Sequence, residues 1–281
     1  MGEFVNLEET DRPGVAMIRL DRPKVNAISG QLSAELLAVA TELKSRHDIR
    51  AVVLWGGRKF FAAGADIGEF PSDGPPEERD PTGMTNPLNE ALLTIEGLDQ
   101  ITISAVNGFA LGGGCELSMC TDFRVCGERA VFGQPEILLG IIAGAGGTQR
   151  LTRLVGITKS KELNYTGRQV KADEALAIGL VSAVYPDEAV IDKALDMAEE
   201  YARGPAALKH VKRSIMKGLH VDIAEAIEVE KHEFKESFKT DDAVIAKAQV
   251  WVDTRADGVL AGDLAQPIAA GFFDVGDIQG D

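Results

Sequence analysis

An order of elements that occurs twice along the chain most constrains its fold. Residues 15–20 predict a strand, and apolar side chains at helical spacing across residues 32–43 predict a helix with Ser29 as a suitable N-cap. The continuous apolar run 51–55 then predicts a buried strand. When a helix connects two buried strands, the strands lie parallel to each other and the crossover is right-handed. This region is therefore expected to belong to the α/β class.

The same order returns in residues 101–126. An apolar strand at 101–106 leads through a glycine turn and a short helix to another strand at 123–126. From residue 187 onward the pattern predicts the helices 187–203, 205–217, 222–239 and 241–255. We therefore expect an α/β core over residues 1–200 and a C-terminal helical region with a tail over residues 201–281.

A proline-rich passage separates the two crossover units. Residues 71–87 contain five prolines together with glycine and acidic residues, which predicts a surface loop. A helix at 89–97 is expected to follow it.

The second crossover holds an isolated acid behind consecutive glycines at 112–114. Glu116 is the only charged residue between Gln100 and Thr121. An unpaired buried carboxylate is costly, so such a group either finds partners or shifts its pKa. The N–H groups at a helix start have no intrahelical partners, and the helix dipole lies behind them. This turn is therefore suited to stabilising an oxyanion.

A second isolated acid, Glu136, is the only charge between Val131 and Gln149. The proline before it predicts an ordered turn that fixes the direction of its side chain. Either glutamate alone could simply accept hydrogen bonds from backbone amides. If both face one pocket, desolvation and like-charge repulsion would separate their pKa values into a base and an acid. The pair could then hold one water molecule.

Other site types fit the sequence poorly. Residues 60–67 begin with an apolar pair and continue as a run of small residues, which either exposes backbone N–H groups beside a helix start or forms a tight packing corner. The glycines do not have the spacing of a dinucleotide-binding motif. The chain also lacks a Walker A lysine and the nucleophile elbow of a serine hydrolase. No metal-ligand spacing occurs, so no metal site is expected.

The net charge and the cysteine content limit the binding partners and the cellular compartment that we expect for this protein. The formal net charge of −15 argues against a protein that binds the phosphate backbone of nucleic acids. Cys115, Cys120 and Cys126 lie in apolar surroundings and are expected to be buried, reduced thiols. No apolar run has the length of a membrane span, and the N-terminus lacks a signal-peptide core. We therefore expect a cytoplasmic protein without membrane insertion.

Several passages resemble the crotonase superfamily and, within it, the enoyl-CoA hydratases. The matching residues are 22–27, 61–67, 105–117, 132–136 and 144–151. The resemblance implies an α/β fold with a crotonase-like right-handed spiral of ββα turns and a C-terminal helical region. It also implies a homotrimer or a hexamer built as a dimer of trimers. The implied partner is an acyl-CoA substrate, so coenzyme A is part of the substrate and no separate cofactor is expected.

The resemblance assigns roles by motif position. The backbone amides of Ala65 and Gly113 would hold the thioester oxygen, Glu116 would take a proton from water, and Glu136 would protonate the α-carbon. Lys24 is implied as a phosphate contact, and residues 65–68 would lie along the CoA near its adenine. The full set implied to bind substrate or CoA is Lys24, Ala27, Ala63, Ala65, Asp66, Ile67, Gly68 and Gly113.

The implied reaction is the addition of water to a 2-enoyl-CoA. The alternatives are double-bond isomerisation or other crotonase chemistry on an enolate, and a non-catalytic member that binds acyl-CoA or RNA. The chain departs from the hydratase pattern at Ile142-Ala143, where a proline is common, and at residues 252–257, which replace a basic stretch. These departures leave the C-terminal contact to CoA phosphates and the acyl-chain length open.

Overall fold

The computed structural model describes residues 2–70, 75 and 79–243. The chain divides after Gly204 into two compact units, Met1–Gly204 and Pro205–Asp281. The boundary expected after residue 200 falls inside the helix Val190–Arg203, so the first unit continues to the end of that helix. Apart from residues 241–243, the helix expected at 241–255 and the tail beyond it lie outside the described residues.

Strands and helices alternate through the first unit. The described strands are β1 (Val5–Glu9), β2 (Val15–Leu20), β3 (Ala51–Trp55), β4 (Phe60–Ala62), β5 (Ile101–Val106), β6 (Phe109–Leu111), β7 (Phe123–Gly127), β8 (Val131–Gly133), β9 (Val170–Lys171) and β10 (Ala183–Tyr185). The described helices are α1 (Gly30–Leu43), α2 (Thr82–Glu96), α3 (Gly113–Met119), α4 (Gly147–Val155), α5 (Ile157–Thr166), α6 (Ala172–Ala177), α7 (Val190–Arg203), α8 (Leu208–Gly218) and α9 (Ile223–Ser237). Short 3₁₀ segments span Ile67–Glu69 and Pro135–Leu139.

The larger sheet has the strand order β1-β2-β3-β5-β7-β10. β1 pairs antiparallel with β2, whereas the other neighbours pair in parallel. The crossover predicted from residues 15–55 is confirmed, because β2 and β3 are parallel and α1 connects them. Ser29 is the N-cap of α1, and its Oγ accepts a hydrogen bond from the Leu32 amide at 3.2 Å. The serine satisfies an N–H that the helix itself leaves unpaired.

The smaller sheet has the order β4-β6-β8-β9 and was not predicted. Its strands have only two or three residues, which is too short for an alternating pattern to be detected. Each long strand β3, β5 and β7 is followed directly by a short strand of this second sheet. The ββα order implied by the family resemblance is therefore present. Because β4, β6 and β8 are parallel, the turns that lead from them into the next helical segments lie at the same edge of the smaller sheet.

The loop predicted at residues 71–87 was too long, because α2 already begins at Thr82 and contains Pro87. A proline inside a helix costs about 3 kcal/mol. The same helix buries Leu88, Leu92 and Ile95 almost completely. Each such side chain contributes about 1.5–3 kcal/mol when fully buried, so their packing outweighs the proline. The Asp80 carboxylate also accepts a hydrogen bond from the Thr82 amide at 2.9 Å.

The three cysteines are buried and free, as expected. Within the described ranges, no helix combines the length and apolar content that crossing a membrane requires. The predicted C-terminal helices are confirmed as α7, α8 and α9, with ends shifted by up to three residues. In the second unit, Glu233 of α9 is buried and contacts two side chains of α8, with Oε2 2.8 Å from His210 Nδ1 and Oε1 accepting from Lys217 Nζ at 3.0 Å.

Candidate active site

Three consecutive glycines let α3 start in contact with two other segments. Gly112 has φ 51° and ψ −126°, a conformation that side chains disfavour, and a Cβ atom there would lie 3.1 Å from Glu136 Oε1. A Cβ on Gly114 would overlap the carbonyl group of Ala62 in β4. The glycine run thus allows the helix to begin against both the smaller sheet and the second glutamate.

The amides of Ala65 and Gly113 come together at this helix start. A Cβ placed on Gly113 would lie 3.8 Å from the Ala65 nitrogen. Ala65 lies opposite Ile28 in a parallel bridge whose two bonds, both 2.8 Å, use the Gly64 carbonyl and the Asp66 amide. The Ala65 N–H therefore faces away from Ile28. Of the two readings of residues 60–67, the geometry favours exposed amides.

Glu116 is held in the first turn of α3 and is only 2% exposed. Its Oε1 accepts hydrogen bonds from the amides of Ala145, at 2.7 Å, and Gly147, at 2.6 Å. Desolvation raises the pKa of this carboxyl above its usual value, and the two amides and the nearby positive charge of Arg150 offset only part of that rise. The site thus provides donors that favour an ionised Glu116 in an apolar wall.

Glu136 lies in the 3₁₀ segment that follows β8 and is half-buried. Desolvation raises its pKa to about 7, and the negative charge of Glu116 contributes to this rise. The buried side chain of Gln134 is adjacent. With its amide turned so that Nε2 faces the carboxyl, it donates to Glu136 Oε1 at 3.0 Å and to Oε2 at 3.2 Å. With the opposite orientation, its oxygen suits a protonated Glu136.

Both glutamates, together with Ala65 and Gly113, line one cavity of about 550 Å³ in the first unit. Its wall is largely apolar and includes Ile28, Leu88, Leu139, Ile141 and Ile142. An apolar pocket with a few convergent polar groups is the usual form of a small-molecule site.

The structure brings six of the predicted site residues together on this wall. They are Ala63, Ala65, Ile67, Gly113, Glu116 and Glu136. The other four lie outside the cavity lining. Lys24 and Gly68 are exposed, and the Ala27 carbonyl accepts a hydrogen bond from Arg22 Nη1 at 2.8 Å.

Asp66 has local structural partners. It pairs with Arg22 at 2.7 Å, which holds the pKa of its carboxyl below the usual value, and its Oδ1 accepts from the Gly68 amide at 3.1 Å. These bonds fix the start of the 3₁₀ segment Ile67–Glu69, so they order the backbone beside Ala65.

Sequence reasoning missed Gln134, Arg150 and Glu96. Gln134 is uncharged and gave no signal of its own. Arg150 is the first charged residue after Glu136, so an isolated cation following an uncharged run could have marked it. Glu96 lies 54 residues before its partner Arg150, and no local pattern connects them.

Comparison with known proteins gives a consistent result. Residues 10–256 match the family model described as enoyl-CoA hydratase/isomerase. The short-chain-enoyl-CoA hydratase of Clostridium acetobutylicum is 42% identical over 231 residues, which cover 81% of this chain and 87% of that protein. The crotonyl-CoA hydratase of Syntrophomonas wolfei is 37% identical over 243 residues, which cover 85% of this chain and 92% of that protein.

A crystal structure of an enoyl-CoA hydratase from Bacillus anthracis is similar to this chain with a TM-score of 0.81 and 35% identity. The match covers 91% of this chain and 97% of that one. The expected crotonase-like α/β fold with a helical C-terminal region is thereby confirmed. The matched motifs, the ββα order and the similarity over most of the chain show that this protein belongs to the enoyl-CoA hydratase/isomerase family.

Proposed function

We propose that the protein is an enoyl-CoA hydratase, a carbon–oxygen lyase that adds water across the double bond of a 2-enoyl-CoA thioester. The observation that carries the proposal is the shared cavity. Two carboxyl groups, Glu116 and Glu136, line the same apolar wall as the amides of Ala65 and Gly113. Two relatives named for hydration of enoyl-CoA thioesters, at 42% and 37% identity, support the same reaction.

In the proposed mechanism the thioester oxygen accepts hydrogen bonds from the amides of Ala65 and Gly113. These donors stabilise the negative charge that develops on that oxygen as the enolate forms. Glu116 takes a proton from water while the hydroxyl oxygen bonds to C3. Glu136 then gives its proton to C2, which re-forms the thioester carbonyl. One water is added in total, and a proton must pass from Glu116 to Glu136 before the next cycle.

Burial raises the pKa of both carboxyl groups, and the two differ in the groups that oppose this rise. Glu116 accepts two amide bonds and has Arg150 nearby, all of which favour the charged form that a base needs. Glu136 has a pKa raised to about 7, so it still carries a proton near neutral pH. An acid is most effective when its pKa lies close to the working pH.

The substrate is proposed to be a short 2-enoyl-CoA. The cavity wall is apolar and suits an acyl chain, and two relatives carry "short-chain" and "crotonyl" in their names. Coenzyme A is part of the substrate, and the reaction needs no metal or redox cofactor. The homotrimer or hexamer, the cytoplasmic location and the absence of nucleic-acid binding remain parts of the proposal. Light scattering of the purified full chain tests the assembly.

The function is tested by comparing two substrates. Purified protein should remove the 2-enoyl absorbance of crotonyl-CoA and form the 3-hydroxyacyl-CoA, which mass spectrometry identifies by the added mass of water. A 3-enoyl-CoA of the same length should be consumed much more slowly. Consumption of the 3-enoyl ester with no hydration of the 2-enoyl ester would make the protein an isomerase.

The pH dependence of kcat should have two limbs. As pH rises through about 7, Glu136 loses the proton it must donate, so kcat should fall on the alkaline side. As pH falls, Glu116 becomes protonated and can no longer accept a proton, so kcat should fall on the acid side as well. The two apparent pKa values belong to the coupled pair. Steady-state rates at saturating crotonyl-CoA measure both limbs, and a kcat that rises steadily through pH 7 would contradict the assigned roles.

A further inference from the structure

The loop of residues 144–147 connects Glu116 to the rest of the first unit. The amides of Ala145 and Gly147 both donate to Glu116 Oε1, at 2.7 and 2.6 Å. Between them Gly146 adopts φ 93°, a left-handed conformation that turns both N–H groups toward the same oxygen. The position of the carboxyl therefore depends on the shape of this loop.

Arg150 holds the loop from the opposite side. Its Nη1 donates to the Ala145 carbonyl at 2.9 Å, so Ala145 is bound by Glu116 through its N–H and by Arg150 through its C=O. A Cβ atom on Gly146 would overlap the Arg150 guanidinium. The guanidinium therefore packs directly on the bare backbone of the loop.

Glu96, the last residue of α2, orients this guanidinium. Arg150 Nε donates to Glu96 Oε1 at 3.2 Å, and Nη2 donates to Oε2 at 2.9 Å. Such a two-bond fork fixes the plane and direction of the arginine. The side chains are only 12% and 24% exposed, so solvent screens this pair less than an ion pair on the surface.

A second bond ties the loop to the same helix. Asn89 Nδ2 donates to the Gly144 carbonyl at 2.9 Å. α2 also carries Thr85 and Leu88, which line the cavity. The helix that forms part of the cavity wall thus holds the loop that carries the donors of Glu116.

We propose that Arg150, oriented by Glu96, is a positioning residue for Glu116. It holds the amides of Ala145 and Gly147 against Glu116 Oε1, and its positive charge favours the ionised form of that buried carboxyl, which is the form that can accept a proton. The inference rests on the proposed function, in which Glu116 takes a proton from water. Arg150 acts through Glu116 and the loop, since it does not line the cavity.

The other ionisable groups near Glu116 do not provide this charge. Glu136, on the 3₁₀ segment, carries a negative charge when ionised and so opposes ionisation of Glu116. Cys115, the neighbour on α3, is neutral because burial raises the pKa of its thiol to about 12. Loss of the Arg150 charge should therefore raise the pKa of Glu116.

The test compares Arg150→Met and Arg150→Lys with the wild type. In Arg150→Met, kcat for crotonyl-CoA should fall about 10- to 100-fold because the base is misplaced. The acid limb of the kcat–pH profile should move to higher pH, while KM should change little. In Arg150→Lys the charge remains but the fork is lost. Its acid limb should stay near that of the wild type, with an intermediate kcat.

Arg153→Met is the matched control. Arg153 lies one turn further along α4, is exposed, and donates to the Gln149 carbonyl at 3.0 Å. The substitution removes the same charge from the same helix away from the loop. Both kcat and the acid limb should remain as in the wild type.

Glu96→Gln provides a further test if Arg150→Met does not fold. It weakens the orientation of Arg150 but leaves its positive charge, so kcat should fall without an upward shift of the acid limb. An acid limb that moves up in this variant would contradict the charge role. A folded Arg150→Met protein with an unshifted acid limb would overturn the inference. Failure of the wild type to hydrate crotonyl-CoA would instead remove the proposed function.

Discussion

Replacement of Glu136 or of Glu116 by glutamine lowers kcat for crotonyl-CoA hydration by about 100- to 10,000-fold, the usual contribution of a general acid or base. Glutamine has the size of glutamate but cannot exchange a proton at neutral pH. In Glu116→Gln, the amides of Ala145 and Gly147 still meet an oxygen acceptor, so the loop keeps its shape. KM should therefore change by much less than kcat.

The control for both variants is Glu42→Gln on α1. Glu42 is exposed and lies outside the cavity lining, so the same change of charge there should leave kcat and KM unchanged. The double variant Glu116→Gln with Glu136→Gln should lose little more activity than either single variant, because both groups serve the same addition of one water molecule. Wild-type kcat in both single variants would exclude the two-glutamate mechanism. The variants should still bind an unreactive acyl-CoA, and calorimetry measures this binding.

Gly114→Ala is expected to prevent stable folding, whereas Gly113→Ala is expected to fold. A Cβ on Gly114 overlaps the Ala62 carbonyl, and both groups belong to backbone that cannot separate without moving α3 off β4. Overpacking of this kind costs about 3 kcal/mol or more. Thermal and urea unfolding followed by circular dichroism measure the difference. An unchanged midpoint for Gly114→Ala would contradict the close approach of the two segments.

Gly113→Ala tests the neighbouring position for function. A Cβ there would lie 3.3 Å from Ile28 Cδ1 and 3.7 Å from Leu88 Cδ2, and both are ends of side chains that can move. The new methyl would also lie 3.8 Å from the Ala65 nitrogen, beside the place proposed for the thioester oxygen. We expect an unfolding midpoint close to that of the wild type. We also expect kcat/KM to fall by about tenfold or more, because the methyl group displaces the thioester oxygen from its amide donors. Full activity would place the thioester oxygen elsewhere.

Two kinds of local signal made the site visible in the sequence. Glu116 and Glu136 each stand alone in a long uncharged run, and an isolated acid in apolar surroundings needs a reason. The glycines at 112–114 marked a backbone of unusual shape, which Gly112 confirms with its φ of 51°. Hydrophobic periodicity gave the crossover between β2 and β3, because one buried face leaves a repeating pattern in the chain.

The elements that the sequence did not predict depend on contacts between residues far apart in the chain. The short strands β4, β6 and β8 have no pattern of their own and form by pairing with one another. α2 tolerates Pro87 because Leu88, Leu92 and Ile95 are buried in a core that other segments of the chain form. Local propensity therefore gave the wrong start for this helix.

The fold class, the two glutamates and the glycine turn could be recognised in the sequence, because each leaves a signal within a short stretch of chain. The folded structure was needed to show which groups share the cavity and what charge surrounds each one. It placed the amide of Ala65 beside Gly113, and it set Arg150 and Glu96 behind Glu116. The physical reason is that desolvation and charge depend on neighbours in space, so the difference between the two carboxyl groups arises only after the chain has folded.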